Sequence, residues 1–555
     1  MAELTGGHLV AKYLKNVEGI DTIFSLVGGH IDNIYDGCLE YKVKIIDVRH
    51  EQAAAMMAQA WSVYTGKAGV CLVTAGPGFT NALTGIVNAR LENAPMVFIS
   101  GTAPVRDWIK GALQDMCQAD MIKDFVKWHG VCYDVRRIPE YLATAFRNAV
   151  AGRPGPVFLE LPPDILNIKV NESELPRQKK GGTVYRCRPD AASIRQAAKL
   201  INKAERPLLI GGNGLCWSDC DGEFKKFIEK TGVPFIVMNA GRGVLPDDHP
   251  SSIWDGGLSG ILAAFSMADL IITAGIRLNW IQMYGEVFPQ AKVVRVDVEA
   301  SEIDRNRASD VGLVGDIGLT LKELNAAVKK TDRKKWLKQL KEGYAPLIAE
   351  ELAARKKPSH PIHPARLVEK VRATIGNDAI YVVDGGDTSY FGLVGLTATE
   401  KGSVLPGSGG LFGCLGTGIP FAIGAKVARP DKTVVVITGD GSFGFNAMEF
   451  DTAIRHKIPF ICVICNDCAW GMIKHGQELG YGPKRCYGSG LRAANYEKVV
   501  EALGGVGILV EKDKDIVPAL RKALRSRKPV CVNVLTDPTV TSPATLMLVD
   551  GLKME

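Results

Sequence analysis

Residues 434–474 read VVVITGDGSFGFNAMEFDTAIRHKIPFICVICNDCAWGMIK. The run Val434-Val435-Val436-Ile437 has no polar break, the pattern of a strand covered on both faces in a parallel sheet. It stops at Gly439-Asp440-Gly441, a turn whose glycines let backbone amides approach an anion. A helix is expected next, because Asn446 and Glu449 stand at capping-box spacing and Met448, Ala453 and Ile454 can face a core. Pro459 restarts the chain, and residues 460–464 read as a second buried strand that ends at Asn466-Asp467. Two strand ends thus each carry a carboxylate, Asp440 and Asp467, beside a glycine-rich turn. In an open α/β sheet that edge is where ligands bind. Two hard carboxylates and a main-chain carbonyl also suit a magnesium ion.

A GDG turn followed after about 25 residues by Asn466-Asp467 and then Trp470-Gly471 resembles the signature of thiamine-diphosphate-dependent enzymes, which is GDG, an Asn pair and a Trp-Gly or similar. A lone GDG turn is common in α/β loops; the combined motif in a strand–helix–strand context is specific. The resemblance implies thiamine diphosphate and Mg2+ as cofactors, with Asp440, Asp467 and the carbonyl of Ala469 on the metal. It departs from the family in one place: Asp467 stands where the second Asn is usual. Reach is kept, and a negative charge is added beside a diphosphate. Gly439, Gly441 and Ser442 would touch the cofactor, and Trp470 and Met472 would shape the pocket beyond the metal.

Working outward to the N-terminus, residues 22–27 read as a strand stopping at Gly28-Gly29-His30, and residues 43–48 as another running into Arg49-His50-Glu51-Gln52. By itself Glu51 is a first-turn acid favoured by the helix dipole. The RHEQAA stretch, however, is similar to the segment that holds the family's near-universal acid. By that resemblance Glu51 hydrogen-bonds N1′ of the aminopyrimidine and promotes C2 deprotonation, which requires a carboxyl buried enough to share a proton with a weak ring base. The loop from Thr74 through Gly76-Pro77-Gly78 to Asn81 resembles one that reaches the cofactor from a neighbouring subunit. Thr74 and Asn81 are therefore expected at the cofactor, with an active site that needs two chains. Residues 155–164, GPVFLELPPD, look like the end of the family's pyrimidine-binding domain.

Length points to several cores, since 555 residues exceed what one usually serves. The fold expected is α/β, with three Rossmann-like domains, each a mostly parallel sheet flanked by helices. They are a pyrimidine-binding domain over 1–175, a central domain over 190–328 and a diphosphate-binding domain over 364–540, with a tail at 541–555. The stretches 165–189, which includes charged and glycine-rich 177–182, and 343–363 read as linkers. In the central domain the glycine turn at 211–214 lacks the full GxGxxG. Family members sometimes keep ADP or FAD here, and Arg277 and Asp297 fall where such a nucleotide would be held. In the last domain Asp384-Gly-Gly-Asp-Thr388 resembles a diphosphate-contacting turn, so Thr388 is expected at the cofactor. Leu415 stands where a bulky apolar residue props thiamine in its bent shape, although an ordinary core leucine would look the same.

A net charge of +7 is small for this length, and the basic run from Lys329 to Lys341 carries Trp336, Leu337 and Leu340 at helical spacing. That is a solvated helix face, not a nucleic-acid surface. No signal-peptide pattern opens the chain and no apolar run is long enough to span a bilayer. The 13 cysteines are dispersed, often within apolar runs, and read as buried thiols in a reducing cytoplasm. Cys465-Asn-Asp-Cys468 matches CxxC, but no second pair completes a zinc site.

Within the family, His30 after two glycines, Arg49-His50-Glu51 and Gln114 look most like benzaldehyde lyase, where a His and a Gln handle protons of the hydroxyketone adduct. That resemblance implies a carbon–carbon lyase and carboligase acting on small 2-hydroxyketones or 2-ketoacids through a C2 carbanion and an enamine. Residues 277–280 resemble the 2-hydroxyacyl-CoA lyase and oxalyl-CoA decarboxylase branch instead, and a general similarity to acetolactate synthase is also plain. A non-catalytic cofactor-binding relative is the alternative from another class. The expected partner is a second copy of the chain, in a homodimer or a dimer of dimers.

Overall fold

The computed structural model describes residues 3–176, 179–407 and 410–553. Arg177 and Gln178 of the expected linker, Ser408 and Gly409 of the glycine-rich stretch, and the last two residues of the tail lie outside them. The chain forms two compact bodies. One comprises Met1–Tyr185 together with Ile419–Asp431 and Asn446–Ile458; the other comprises Arg186–Gly418, Lys432–Phe445 and Pro459–Glu555.

The first body is built on a six-stranded parallel sheet in the order Lys44–Asp47, Thr22–Leu26, Gly69–Val73, Met96–Gly101, Pro156–Leu161, His129–Val131. Its central strands are apolar at nearly every position and buried throughout, as helices on both faces demand. Phe79, Phe98 and Phe158 form one aromatic cluster, with ring centroids 5.1 to 5.9 Å apart. Each such buried ring stabilises by about 1.5–3 kcal/mol.

The second body holds two parallel sheets. A five-stranded one runs Phe235–Val237, Pro207–Gly211, Leu270–Ala274, Lys292–Asp297, Val311–Val314. A six-stranded one runs Val404–Pro406, Ile380–Val383, Val434–Gly439, Ile461–Asn466, Val530–Leu535, Val506–Val510. Both six-stranded sheets have their earliest strand flanked by the second and the third. The crossover direction therefore reverses beside that strand, and a crevice opens at the carboxyl ends of strands one and three. In one sheet those ends lead to His30 and Thr74; in the other they lead to Asp384 and Asp440.

Three local expectations are corrected. Asn446 and Glu449 form no capping box. The segment breaks into two helices, Asp440–Asn446 and Glu449–Arg455, with Met448 at the break and 48% exposed. Glu449 is drawn away by partners elsewhere in the first body. The stretch 343–363 is not a simple linker either: the helix Lys334–Lys356 runs through Pro346, held by buried Trp336, Leu340 and Tyr344. Its lysines lie mostly outward, as the spacing implied. Finally, the tail is a helix, Pro543–Lys553. No helix among the described residues is long and apolar enough to cross a membrane.

Candidate functional site

Each body gathers a group of candidate residues. In the second body, the strand Val434–Gly439 is paired on both edges and delivers Asp440 to the start of the following helix. Asp440 is 2% exposed, and its Oδ2 is buried without a hydrogen bond from the protein. Burial and the neighbouring Asp467 carboxyl both push it up from the usual carboxylate range. Asp467 is likewise raised, chiefly by burial. Asp467 Oδ1 accepts a hydrogen bond from the Ala469 amide at 3.1 Å, which curls the chain after the strand Ile461–Asn466. Two buried acids, both raised by burial and one with an orphaned oxygen, form a donor set that a divalent cation would relieve. Among the described residues no cluster of three His, Cys, Asp or Glu side chains is disposed around a metal. The cysteines are all free.

Gly441 is required by space: a Cβ there would sit 2.6 Å from the Trp470 ring. Met472 packs so closely on Gly386 that a Cβ at the latter would lie 2.7 Å away. Gly385, with φ +114°, turns the chain beside Thr388 and the Gly439 amide. Asp384, fully buried, accepts a hydrogen bond from the Gly418 amide at 3.0 Å, and burial pushes it up to about 6. Ser442 is buried, and Leu415 is half-buried in the turn that precedes the helix Gly418–Ala428. A cluster that sequence reasoning missed lies nearby. Asp387 accepts from the Ser542 and Thr545 hydroxyls at 2.5 Å each and pairs with His475 Nδ1 at 2.7 Å. It ties the C-terminal helix to the turn that carries Thr388.

In the first body, Glu51 opens the helix Glu51–Thr65 and is 6% exposed. Its Oε2 accepts from Asn81 Nδ2 at 3.0 Å, and its Oε1 faces Gly78, where a Cβ would lie 3.5 Å away. Asn81 sits in the first turns of the helix Pro77–Leu91, whose cap, Gly76, has φ +60°. His30 Nδ1 lies 3.2 Å from Thr74 Oγ1, and burial lowers the imidazole from its usual pKa, which favours its neutral form. Gln114, itself at φ +61°, packs on Gly76, and its buried Oε1 has no hydrogen-bond partner. The structure therefore gathers His30, Thr74 and Gln114 about Gly76, with Glu51 and Asn81 around Gly78.

The support beneath this group was not foreseen. Gln118, 1% exposed, accepts from the Gly76 amide at 2.8 Å and donates to the Gly101 carbonyl and Glu160 Oε1, both at 2.9 Å. Burial pushes Glu160 up to about 7, and the Gln118 hydrogen bond pulls the other way. The signal was available: a glutamate amid the apolar run Val157–Leu161 must be buried and must find a partner.

In the central sheet, the glycine turn after Pro207–Gly211 is filled by the chain itself. A Cβ on Gly212 would strike Ile276 at 2.7 Å, and one on Gly214 would strike Gly275 at 2.7 Å. Arg277 faces Glu302 at 3.6 Å, and Asp297 Oδ1 accepts from the Glu299 amide at 2.9 Å.

The sequence matches three thiamine pyrophosphate enzyme domains: the N-terminal TPP binding domain over residues 4–122, the central domain over 194–324 and the C-terminal TPP binding domain over 384–534. It is 33% identical to an acetolactate synthase large subunit of Mycobacterium tuberculosis over 97% of this chain and 96% of that one. It is also 33% identical to the 2-hydroxyacyl-CoA lyase of Arabidopsis thaliana over 96% of both chains. With human 2-hydroxyacyl-CoA lyase 1 the identity is 29%, over 98% of this chain and 96% of the relative.

Proposed function

The chain belongs to the thiamine pyrophosphate enzyme family, and from that premise we propose that it cleaves and joins carbon–carbon bonds beside a carbonyl, in the manner of benzaldehyde lyase. Its substrates would be small 2-hydroxyketones or 2-ketoacids. The observation that carries this reading is the grouping of His30, Thr74 and Gln114 around Gly76. A neutral imidazole, a hydroxyl and an unpartnered amide oxygen are the groups needed to take, hold and return the proton of a substrate hydroxyl.

Bound thiamine diphosphate supplies a nucleophilic carbon and a sink for the electrons of the broken bond. Glu51 would share its proton with N1′ of the aminopyrimidine, and Asn81 keeps that carboxyl aimed. Asp440, Asp467 and the Ala469 carbonyl would hold Mg2+ against the diphosphate, next to Gly439, Gly441, Ser442 and Thr388. Leu415 would support the thiazolium, and Trp470 and Met472 would bound the substrate side.

We further propose that two copies of the chain complete each active site, as a homodimer or dimer of dimers in the cytoplasm. Ile109 and Leu113, 96% and 76% exposed beside Gln114, support burial against a second copy. So far as a second reading goes, the likeness to the Arabidopsis lyase favours a 2-hydroxyacyl-CoA thioester as substrate, with Arg277 and Asp297 toward an ADP or FAD moiety. The test offers benzoin, pyruvate and a 2-hydroxyacyl-CoA to protein loaded with thiamine diphosphate and magnesium, with products read by mass spectrometry. Benzoin cleavage supports the first reading and thioester cleavage alone moves the assignment to the second. Acetolactate from pyruvate alone marks a synthase, and no product from any of the three sinks the proposal.

A further inference from the structure

The two amides that precede Glu51 have no partner in the sheet or in their own helix. The Val48 amide makes the last bond to the neighbouring strand, to Ser25 O at 2.9 Å, and the helix begins at Glu51. The Arg49 and His50 amides between them are met by one buried carboxylate from far along the chain. Glu449 Oε1 accepts from the Arg49 amide at 3.0 Å and from the His50 amide at 3.1 Å. Glu449 is 1% exposed, and its Oε2 is fixed by the Thr452 hydroxyl at 2.6 Å. The same short helix holds the corner at other points. Asp451 faces Arg49 at 3.6 Å, Arg455 bonds the carboxylate and the carbonyl of Asp47, and His456 meets Asp47 Oδ1 at 2.7 Å.

We propose that Glu449 is the positioning residue for Glu51: it clasps the strand-to-helix corner so that the acid is presented at one height and angle. The inference rests on the reading of Glu51 as the group that shares a proton with the cofactor. Two bonds from consecutive amides to one carboxyl oxygen fix the corner in translation and in rotation, which a single bond would not. The neighbouring ion pairs are partly exposed and contribute less. A displacement of about 1 Å at a reacting group costs on the order of 100-fold in rate, so a corner that lacks this clasp would present Glu51 poorly even with its carboxyl intact. Glu449 also lies nine residues after Asp440 in the sequence. One continuous segment thus supplies both a candidate metal ligand and the support of the acid.

The test compares Glu449→Ala, Glu449→Gln and Glu449→Asp by two readouts. The first is amide hydrogen exchange at residues 49 and 50 in cofactor-free protein; the second is C2 hydrogen exchange of thiamine diphosphate at saturation. Glu449→Ala is expected to speed the amide exchange and slow the C2 exchange by about tenfold or more each. Glu449→Gln, whose amide oxygen can still accept, is expected to recover most of both. Unchanged protection of Arg49 and His50 in Glu449→Ala overturns the clasp, as does a loosened corner with wild-type C2 exchange. Should the alanine variant fail to fold, Glu449→Asp, one methylene shorter, decides on the same two readouts. Glu51→Gln runs alongside. Wild-type C2 exchange in that variant overturns the reading of Glu51 itself, whereas slow exchange there with an unaffected Glu449→Ala overturns only the clasp.

Discussion

Replacing Gln118 by alanine is the most direct test of how the residue group in the first body is supported. The buried amide of Gln118 makes three hydrogen bonds of 2.8 to 2.9 Å, to the Gly76 amide, the Gly101 carbonyl and Glu160. Truncation leaves the Gly76 amide without its acceptor and Glu160 without its side-chain donor, and each orphaned group costs about 1–3 kcal/mol. Local opening at Gly76 should then become easier by that amount, a rise of roughly 5- to 150-fold in exchange of the Gly76 amide. Because Gly76 is the cap of the helix that carries Asn81, the loosening should reach the Glu51–Asn81 bond. Native-state hydrogen exchange with fragment mass spectrometry over residues 74–82 reads the effect without assuming that a two-body chain unfolds in one step. Gln118→Glu serves as the companion variant, keeping the acceptor for Gly76 but facing Glu160 with a second acid. Exchange at Gly76 within twofold of wild type in Gln118→Ala would refute the claim that this side chain holds the turn.

The remaining expectations concern proton and metal. Glu51→Gln should lower C2 hydrogen exchange of bound thiamine diphosphate by about 100-fold or more; Asn81→Ala, which frees the carboxyl without removing it, should have an intermediate effect in the same assay. Glu160 and Glu449 are both pushed up by burial to about 7 from an ordinary 4.5. The folded chain therefore binds protons more tightly than the unfolded one, and the resulting stability, present below pH 4.5, is lost as pH rises through 7. Thermal midpoints should fall across that window, and the fall should shrink in the double variant Glu160→Gln/Glu449→Gln; an unchanged slope would count against buried, proton-holding carboxyls. Asp440 and Asp467 also lie above the usual carboxylate range, so protons should compete with magnesium as pH falls. Asp467→Asn should weaken the pH dependence of magnesium-dependent cofactor binding, measured by calorimetry, and an undiminished dependence would remove Asp467 from the donor set.

What the sequence made legible were features written locally. The apolar runs located the strands, and the turns at Gly439–Gly441 and Gly76–Gly78 stood where strands must give way to helices. Glu51 was placed at a helix start by its junction alone, and its role came from resemblance. What escaped was encoded across long separations. Asn446 and Glu449 have the spacing of a cap, yet the Glu449 carboxylate is better satisfied by two backbone amides 400 residues away in sequence, and no local pattern contains that competitor. Glu160 and Gln118 belong to the same class, since each solves the other's burial. The helix through Pro346 is hidden in the sequence because the proline breaks the local pattern, while the buried Trp336, Leu340 and Tyr344 that anchor the helix all lie ahead of it. Likewise the incomplete glycine motif at 211–214 carries no sign that Gly275 and Ile276 fill the space beside it.

The makeup of the first body has a consequence for synthesis. Its sheet and most of its helices are encoded by residue 185, yet 419–431 and 446–458 are also parts of it. Gly424 packs so tightly that a Cβ would lie 2.4 Å from Met57 O, and Glu449 is the only partner described for the Arg49 amide. The ribosome must therefore add the next 273 residues, from 186 to 458, before that body can close. At about 5–20 residues per second this leaves an apolar, alanine-rich face waiting for roughly 15–55 s. A fragment ending near residue 185 should emerge sticky and should bind a holdase chaperone. The same fragment co-expressed with 410–555 should be relieved of it.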